Sequence, residues 1–366
     1  MRAMIIDPDR SWAGGEAQVL LLAHGLIRRG VEVHLAIDPR GELHARTGGS
    51  FPIASVAMRN DLQVIRAPAI ARYCVRNRID LIDAHTAHAH ALGFVVKLLL
   101  PAIRLVVHRH IDLPPKDTYF NRRLYLSPRV DRFVAISSNV AKVLCAYGVA
   151  DNRISLQHST VDPAPLAGLD HDACRTALRS SLGIDPATPL IGVIAQLAPY
   201  KDHLMLLDAL AMLKRENFRL HCIVAGEGRS RSAVESRISE LGLSDSVSML
   251  GFRRDVPELL AGLDLLAMPS RTEGLGIAVL EAFHSGVCVV ATDAGGLAEI
   301  VIEGETGLSS PAGDADAFAA NLKRALIDSR LRNSLAHNAR KFAQENYSLD
   351  AMIDGNLTLY REVLAN

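Results

Sequence analysis

Short apolar runs alternate along the chain with longer segments in which apolar residues recur every three or four positions. The short runs are typical of strands buried in a parallel sheet, and the longer segments are typical of amphipathic helices. In the first half of the chain the pattern predicts, in order, strand 3–7, helix 17–29, strand 31–37, helix 64–76, strand 80–84, helix 88–99, strand 104–108, helix 121–126, strand 132–136, a helix between Ser137 and Gly148, and strand 154–157. Such regular alternation predicts a parallel sheet covered by helices on both faces.

The alternation stops and restarts around a segment rich in proline and glycine. Residues 158–189 surround a single predicted helix, 172–182, with Pro163, Pro165, Gly168, Pro186 and Pro189, as expected for a linker into a second domain. Beyond it the pattern predicts strand 190–195, helix 203–216, strand 219–225, helix 230–241, strands 247–250 and 263–268, helix 277–284, and final helices 315–327, 331–345 and 349–364. The sequence therefore predicts an α/β protein with domains at 1–167 and 168–347, followed by a terminal helix at 348–366.

Composition fits this division and adds an asymmetry of charge. The chain of 366 residues is long enough for two cores, and 49% hydrophobic with 22% charged residues describes a globular protein. The net charge is zero, yet residues 1–165 hold 21 Lys and Arg against 14 Asp and Glu, a net charge of +7. This favours an anionic partner such as a membrane surface or a phosphorylated acceptor, with ordinary surface scatter as the alternative. The side chains that could face an anionic membrane are Arg59, Arg66, Arg72, Arg76, Arg78, Arg122, Arg123, Tyr119, Phe120 and Tyr125.

Cysteine usage and the apolar stretches bear on the compartment. The five cysteines contain no Cys-x-x-Cys pair, which predicts neither a disulfide framework nor a structural zinc site and fits a reducing cytosol. Residues 1–7 enter a predicted strand at once, so the apolar core of a signal peptide is not expected there. The most apolar stretch, 91–107, is interrupted by Lys97, Pro101 and Arg104, so no transmembrane helix is predicted. We expect a cytoplasmic protein, either free or peripheral on the inner face of the membrane.

One strand-turn-helix stretch carries the densest chemistry. After the apolar run 263–268, residues 269–282 contain Glu273, Gly274, Gly276 and Glu281 ahead of and within the predicted helix. Glycines let backbone approach a ligand closely, and the free N–H groups of a helix N-terminus favour an anion such as a diphosphate. Counted as helix, the step of eight positions from Glu273 to Glu281 would separate the two glutamates by about 12 Å along one face. The alternative is a turn without a site and two solvated glutamates.

The same stretch resembles a known family. Glu273-x7-Glu281 with its glycines, followed by the segments 286–292 and 295–301, is similar to the retaining glycosyltransferases of the GT-B fold, family 4 (glycosyl transferases group 1). The resemblance spans nearly the whole chain and is strongest in its C-terminal half. It implies two Rossmann-like domains facing each other across a cleft, the N-terminal one on the acceptor side and the C-terminal one on the donor side. It further implies that the last helix crosses back to the N-terminal domain.

The resemblance also implies roles for individual residues. Glu273 would sit by the transferred sugar as a catalytic residue, and Glu281 would hold the ribose of the donor. The backbone around Gly274, Leu275, Gly276 and Ile277 would complete the donor site. In the first domain, Gly15 would contact the donor diphosphate, with a plain tight turn as the alternative. His110 would point at the transferred sugar, with an ordinary loop histidine as the alternative.

Three further turns of the second domain match the donor side of the family. After strand 190–195 the family has an arginine and a lysine on the diphosphate; Lys201 matches, whereas Gln196 stands where the arginine would be. A glutamine cannot form the bidentate phosphate contact of an arginine, so donor affinity is expected to depend more on Lys201. Residues of two other turns, Gly226 and Glu227 near the nucleotide and Phe252 and Arg254 in the base-binding loop, are the remaining donor-binding candidates.

Metal sites are not expected. His85 and His88 are one helical turn apart, but no convincing further ligand accompanies them, and a binding-site wall is the preferred interpretation. Two Asp-x-Asp pairs imitate those of metal-dependent transferases: Asp7 with Asp9, which lies in a first-strand loop, and Asp314 with Asp316, which is expected to cap a helix. The resemblance implies no metal and no other cofactor beyond the nucleotide-sugar co-substrate.

Other enzyme classes lack their motifs. The sequence has no Gly-x4-Gly-Lys-Ser/Thr phosphate loop, no Gly-x-Ser-x-Gly elbow, and no Gly-x-Gly-x-x-Gly after the first strand. The implied function is transfer of a hexose-type sugar, from a donor expected to be a UDP-sugar, to a glycan or lipid-linked acceptor, with no nucleic-acid partner. Segment 105–112 is similar to bacterial envelope polysaccharide and lipopolysaccharide transferases. A sugar-nucleotide epimerase of the same fold and a non-catalytic sugar-binding protein remain the alternatives.

Overall fold

A parallel sheet lies at the centre of each half of the chain. The computed structural model describes residues 1–56 and 61–365, and it divides into two units, Met1–Thr160 with Leu349–Asn366, and Val161–Ser348. The division between the units falls at Thr160–Val161, whereas the sequence analysis placed it after residue 167. The predicted α/β class with two parallel sheets is confirmed.

The first unit contains a seven-stranded sheet in the order β3-β2-β1-β4-β5-β6-β7, with every neighbouring pair parallel. The strands are β1 Arg2–Asp7, β2 Glu32–Ile37, β3 Ile53–Ser55, β4 Leu81–Ala84, β5 Arg104–Arg109, β6 Arg132–Ala135 and β7 Ile154–Leu156. The helices are α1 Gly14–Arg28, α2 Glu42–Arg46, α3 Ala67–Asn77, α4 Ala87–Leu99, α5 Tyr119–Leu126 and α6 Ser138–Tyr147. The strand order reverses between β1 and β4, which is where open α/β sheets bind ligands.

The second unit contains a six-stranded sheet in the order β10-β9-β8-β11-β12-β13, again parallel throughout. Its strands are β8 Leu190–Ile194, β9 His221–Ala225, β10 Val247–Gly251, β11 Leu265–Met268, β12 Cys288–Thr292 and β13 Leu308–Ser310. Its helices are α7 His171–Leu182, α8 His203–Arg215, α9 Arg231–Glu240, α10 Val256–Gly262, α11 Ile277–Ser285, α12 Leu297–Ile300, α13 Ala315–Ile327 and α14 Ser329–Asn346. Here the order reverses between β8 and β11, so the turns after these two strands lie at the switch point.

The terminal helix α15, Leu349–Ala365, belongs to the first unit, as the resemblance implies. It packs on α1, where a Cβ at Gly25 would lie only 2.3 Å from Ile353 Cδ1. Glycine at position 25 therefore permits the close approach of the two helices. At the rim of this contact Arg29 forms ion pairs with Asp350 and Asp354.

Several elements differ from those the sequence predicts. β3 and β13 are only three residues long, too short to give a clear apolar run, and α10, which has a proline in its first turn, is not among the predicted helices. α1 begins three residues earlier than predicted because Gly14 and Gly15 already adopt helical geometry. None of the helices within residues 1–56 and 61–365 combines the length and the apolar character needed to cross a bilayer.

Candidate active site

The turns after β8 and β11 meet at the switch point of the second unit. The backbone N–H of Arg271 donates to the carbonyl of Tyr200 over 2.8 Å. The Arg271 Nε donates to Asp202 Oδ2 over 2.5 Å, so a side-chain ion pair joins the same two turns. Each turn follows a buried strand, and the carboxyl ends of neighbouring parallel strands lie at one edge of the sheet. This arrangement brings together residues about 70 positions apart in the chain, although β9 and β10 lie between β8 and β11 in the sequence.

An ion pair between Lys201 and Glu273 lies at the centre of these turns. Each side chain is only 13% exposed, and Ser270 Oγ donates a hydrogen bond of 3.2 Å to Glu273 Oε2. From the sequence, phosphate is the only proposed partner of Lys201; the structure adds Glu273 as a second partner, and the phosphate contact stays a prediction. Ser270 was not selected from the sequence, although its position directly after β11 is the signal that could have identified it.

Glycines shape the turn that carries Glu273. Gly276 has a φ of 104° and precedes the first residue of α11. Gly296 donates its N–H to the Glu273 carbonyl over 2.7 Å, and a Cβ at Gly296 would lie 2.2 Å from the Gly274 carbonyl oxygen. The first N–H groups of α11 have no acceptor within the helix and can bind an anion. Glu273 itself lies in the turn outside the helix, so the spacing derived by counting it as helical is wrong.

Glu281 lies on α11 and is half-buried. Burial raises the pKa of Glu281 to about 7. No described side chain donates a hydrogen bond to this carboxyl group or forms an ion pair with it. A carboxylate without a protein partner is available to accept hydrogen bonds from the hydroxyl groups of a ligand.

The turns after β9 and β10 join the same edge of the sheet through backbone hydrogen bonds. The Gly226 N–H donates to the Gly251 carbonyl over 2.8 Å, and the Leu197 N–H donates to the Glu227 carbonyl over 3.0 Å. Gly226 has a φ of 151°, and a Cβ there would lie 1.9 Å from the Ala195 carbonyl oxygen. Glycine is therefore required at position 226 by the fold of this turn, whatever its role toward a nucleotide.

The remaining candidates of this unit differ in exposure. Gln196 is exposed, and its Oε1 accepts a hydrogen bond of 3.1 Å from the Tyr200 hydroxyl. Phe252 and Arg254 are exposed after β10, whereas the Leu275 side chain is 1% exposed and belongs to the core. Leu275 can thus offer a ligand only its backbone. Glu227 pairs with Arg231 over 2.5 Å, and Ile277 is the first residue of α11.

In the first unit, Gly15 lies in the first turn of α1, where a Cβ would meet nothing within 4 Å. Three carboxyl groups, Asp7, Asp9 and Glu16, offer oxygens within 4.8 Å of one another beside this turn. Burial, with the charges of Glu16 and Asp9, raises the pKa of Asp7, which favours a protonated Asp7 in this cluster. The Glu16 Oε2 accepts a hydrogen bond of 2.7 Å from the Ala13 N–H and so helps to begin α1.

His110 follows β5 in a cluster of histidines. Its Nε2 lies 3.0 Å from Nδ1 of His85, and Nε2 of His85 lies 2.9 Å from Asp83 Oδ2. The His108 ring stacks on His85 with centroids 4.2 Å apart. The Tyr360 hydroxyl of α15 donates a hydrogen bond to Asp83 Oδ2. The sequence alone does not identify Asp83, His108 and Tyr360, because their proximity depends on the pairing of β4 with β5 and on the return of α15.

The pairing of His85 with His88 considered from the sequence does not form. His85 precedes α4, and His88 instead lies 4.0 Å from Asp9. The nitrogens of His85, His108 and His110 lie within 4.8 Å of one another, a spacing that a metal site would also have. Asp314 caps α13, its Oδ1 accepting a hydrogen bond of 2.9 Å from the Ala317 N–H, as the sequence predicts.

Two family descriptions match the chain. Residues 175–342 match "Glycosyl transferases group 1", and residues 12–164 match "Glycosyltransferase Family 4". The first stretch contains Lys201, Glu273 and Glu281, and the second contains Gly15 and His110.

Individual relatives are similar over part of their length. The alpha-D-kanosaminyltransferase of Streptomyces kanamyceticus is 32% identical over 196 residues, which are 53% of this chain and 50% of the relative. The lipopolysaccharide core biosynthesis mannosyltransferase LpsB of Rhizobium meliloti is 33% identical over 184 residues, which are 47% of this chain and 52% of the relative. The chain thus spans about half the length of these curated relatives.

A solved structure extends the similarity to the whole chain. HepE of Anabaena, in complex with UDP-glucose, has a TM-score of 0.88 and 22% identity, covering 99% of this chain and 100% of that chain. At this identity the similarity establishes a common fold.

Proposed function

Because the chain belongs to the glycosyltransferases with the GT-B fold, we propose that it is a retaining enzyme that moves a hexose-type sugar from a nucleotide sugar to an acceptor. The expected donor is a UDP-sugar, and the expected acceptor is a glycan or a lipid-linked acceptor. The observation that carries this proposal is the convergence of Lys201, Glu273 and the N-terminus of α11 at the switch point of the second unit.

Each group at the switch point suits one part of a nucleotide sugar. The ammonium of Lys201 and the N–H groups at the start of α11 are suited to a diphosphate, which carries negative charge. The Glu281 carboxyl group has no described protein partner and is suited to the two ribose hydroxyls. The backbone after β10, at Phe252 and Arg254, is proposed to face the base. HepE, a structural neighbour, was solved with UDP-glucose, which supports a UDP donor here.

Glu273 is proposed to act on the transferred sugar. As the diphosphate leaves, positive charge develops at the anomeric carbon, and a nearby carboxylate stabilises that charge. The ion pair with Lys201 holds the Glu273 carboxyl group in place before the donor binds. A carboxylate at this position could serve as a nucleophile or could orient the sugar, and the ion pair is compatible with both roles.

Charge neutralisation by protein groups supports a metal-independent reaction. Lys201 and the start of α11 offer positive charge where metal-dependent transferases use a divalent cation. We therefore expect sugar transfer to persist after dialysis against EDTA. A loss of activity that Mg²⁺ or Mn²⁺ restores would contradict this part of the proposal.

The acceptor is proposed to belong to the bacterial cell envelope. LpsB, one of the relatives, is named as a lipopolysaccharide core mannosyltransferase, and the first unit carries the excess of basic residues. Such a surface suits an anionic membrane or a phosphorylated lipid-linked acceptor on the cytoplasmic side. All five cysteines are free, which is compatible with that compartment.

The decisive experiment follows nucleotide sugars in the presence of the purified chain. Thermal stabilisation by UDP-, GDP- and ADP-sugars would first identify the donor, since a ligand of the folded state raises Tm. Proton NMR would then follow that donor, with and without membrane glycolipid extract as acceptor. A retaining transferase releases the nucleoside diphosphate and yields sugar in the anomeric configuration of the donor.

The alternatives give different products. A sugar-nucleotide epimerase would convert the donor to its epimer without net release of nucleoside diphosphate. A sugar-binding protein would leave the donor unchanged. Either result, obtained with a donor that binds, would overturn the proposed function.

A further inference from the structure

A chain of buried polar side chains ends at His110. The Tyr360 hydroxyl donates to Asp83 Oδ2, and His85 Nε2 lies 2.9 Å from the same oxygen. His85 Nδ1 in turn lies 3.0 Å from His110 Nε2. Asp83 lies in β4, His85 directly after it, His110 directly after the neighbouring β5, and Tyr360 in α15. All four therefore belong to the first unit, and their contacts are independent of the second.

The protonation states of these groups determine which atom donates and which accepts in each of these hydrogen bonds. Burial opposes ionisation of Asp83, but the adjacent His108 and His85 outweigh it and hold the pKa of the carboxyl group below its usual range. Burial lowers the pKa of His85 and, together with His85 and His108, that of His110. The hydrogen bond between the two imidazoles requires a donor nitrogen on one ring and an acceptor nitrogen on the other, which fits two neutral rings with one proton each, while an ionised Asp83 accepts hydrogen bonds only.

Only one placement of these protons satisfies both hydrogen bonds. His85 must carry its proton on Nε2 to donate to Asp83, which leaves Nδ1 of His85 as an acceptor. His110 must then carry its proton on Nε2 to donate to that acceptor. The remaining nitrogen of His110, Nδ1, is left with a lone pair.

We propose that Asp83 and His85 are positioning residues that hold His110 in one ring orientation and in the Nε2–H tautomer. Tyr360 of the terminal helix anchors Asp83, and these four hydrogen-bonded residues are called the relay below. The relay itself stands on geometry within the first unit, whereas its value for sugar transfer rests on the proposed function. Held in this way, His110 offers a sugar hydroxyl an acceptor nitrogen without competing rotamers or tautomers. Pre-ordering of this kind improves catalysis because the group need not reorganise during the reaction.

The surroundings of Asp83 favour this relay over other arrangements. The two lone pairs of Oδ2 are taken by Tyr360 and His85, which explains why His108 Nε2, at 3.2 Å from the same oxygen, forms no hydrogen bond to it. Oδ1 of Asp83 is buried and has no hydrogen-bond partner among the described residues. The rings of His85, His108 and His110 are stacked within 27° of parallel.

A metal ion is the competing interpretation of the same cluster. An ion held by His85, His108 and His110 would need a lone pair from each ring and would remove the proton between His85 and His110. The proton-bearing relay and the metal site therefore exclude each other. Metal analysis of protein purified without chelators distinguishes them.

The primary test measures tautomers directly in the wild-type chain. In two-bond ¹H–¹⁵N spectra of protein labelled with ¹⁵N-histidine, the protonated and unprotonated ring nitrogens are distinguished by shift and by their coupled carbon-bound protons. The signals of His85 and His110 are assigned from their disappearance in His85→Gln and His110→Gln. We expect Nε2–H, with an unprotonated Nδ1, for both histidines at pH 7. A Nδ1–H tautomer at His110, an even mixture of tautomers, or one equivalent of bound metal would each overturn the proposal.

Two variants then test what the relay does. Asp83→Leu removes the acceptor while keeping the same number and branching of side-chain heavy atoms, and we expect His110 to become a mixture of tautomers and kcat to fall by about 10- to 100-fold, with donor affinity within twofold of wild type. Tyr360→Phe should give a smaller loss of kcat. The matched control is Tyr73→Phe, which removes a hydroxyl that hydrogen-bonds His34 outside the relay. Unchanged tautomers and kcat in a folded Asp83→Leu protein would contradict the proposal.

The two readouts separate this inference from the proposed function. If the chain transferred no sugar but His110 retained the Nε2–H tautomer, the relay would stand and the function would fail. If sugar transfer were found with a different tautomer, the function would stand and the relay would fail. Should Asp83→Leu not fold, the wild-type spectrum and Tyr360→Phe still decide the question.

Discussion

Lys201 and Glu273 form an ion pair although they lie 72 positions apart in the chain. The pair exists because β8 and β11 are neighbours at the switch point, so that the turn after each strand reaches the other. A cation proposed to bind phosphate is thus already neutralised by a carboxylate before any ligand arrives. A diphosphate bound in the proposed way would therefore share Lys201 with Glu273.

Lys201→Ala is expected to weaken UDP binding by about 10- to 100-fold while changing uridine binding by less than about twofold, because a charged hydrogen bond to phosphate contributes roughly 1.5–3 kcal/mol. The loss has a second source, since Glu273 without its partner repels the diphosphate. The double variant Lys201→Ala with Glu273→Gln should therefore bind UDP more tightly than Lys201→Ala alone. Isothermal titration calorimetry measures the affinities of the wild type, of Lys201→Ala and of the double variant for UDP and for uridine.

Lys214→Ala is the control for the lysine substitution, since Lys214 lies on α8 of the same unit and binds the Gly242 carbonyl. Its affinity for UDP should equal that of wild type. If Lys201→Ala weakened uridine and UDP equally, Lys201 would not be a phosphate ligand. If the double variant bound no better than the single one, the ion pair would have no influence on donor binding.

Glu281 gives the binding of UDP a distinctive pH dependence. Burial raises the pKa of Glu281 to about 7, so much of this group is protonated at pH 6 in the free protein. Only the ionised carboxylate accepts hydrogen bonds from both ribose hydroxyls, and affinity should rise by up to about tenfold between pH 6 and pH 8. The terminal phosphate of UDP titrates in the same range, so Glu281→Gln provides the reference slope. Equal slopes for the two proteins would exclude this role of Glu281.

Ionisation of Glu281 is expected to lower the stability of the ligand-free protein, whereas it is expected to strengthen the binding of UDP. The folded-state pKa of about 7 lies above the ordinary value of 4.5, so the folded protein binds more protons between these values. Stability contributed by protonated Glu281 is complete below pH 4.5 and is lost as pH rises toward 7. In the absence of ligand, wild type should therefore lose more stability than Glu281→Gln between pH 5 and pH 8, measured by urea unfolding.

Most of the strands could be predicted from the sequence because buried parallel strands are continuous apolar runs, and turns could be predicted at several glycines because tight turns need them. The order of the strands could not be predicted from these patterns. Lys201 with Glu273, and His85 with His110, are paired by that order, and neither pair has a signal in local sequence. The sequence therefore identified the residues of the candidate site more readily than their partners.

The burial of Tyr125 is a second feature that the sequence pattern did not predict. The sequence analysis placed it on a membrane-facing surface, but it is 5% exposed and its hydroxyl accepts a hydrogen bond of 2.9 Å from Arg109 Nη1. On the same helix Tyr119 is 77% exposed and Phe120 is 51% exposed. An eight-residue helix with aromatic residues on two faces does not indicate which face is buried. Arg59, another residue of the expected membrane surface, lies outside the described residues.

The exposed part of that surface predicts membrane association. Tyr119 and Phe120 lie beside Arg122 and Arg123, and each cation near an anionic membrane contributes about 1 kcal/mol. We expect the chain to sediment with liposomes containing phosphatidylglycerol, to a degree that falls as salt rises. Replacing Tyr119 and Phe120 by serine should reduce the bound fraction severalfold. Ile327→Ser removes an exposed apolar side chain from the second unit and is the control. Equal recovery in the supernatant with and without liposomes at low salt would contradict the prediction.

Replacement of Glu281 and replacement of Glu273 are expected to impair different properties, UDP binding in the first case and kcat in the second. A contact between Glu281 and the ribose exists in the bound donor before reaction, so Glu281→Gln should mainly weaken UDP binding. Glu273, if it lies by the transferred sugar, stabilises the transition state more than the bound donor, so Glu273→Gln should lower kcat by about 100-fold or more. Its affinity for UDP should be retained or should increase slightly, because the substitution releases Lys201 for the diphosphate.

The measurement combines steady-state release of UDP from the identified donor with calorimetry of UDP on each variant. A loss of kcat without a loss of UDP affinity assigns an interaction to the transition state. Ser270→Ala is the graded control, since it removes one hydrogen bond to Glu273 and leaves its charge, and it should lower kcat less than Glu273→Gln does. Wild-type kcat in Glu273→Gln, or a loss of UDP affinity as large as in Glu281→Gln, would show that the two roles are assigned wrongly. Tighter UDP binding by Glu273→Gln would show that the ion pair restrains Lys201 until the donor displaces it.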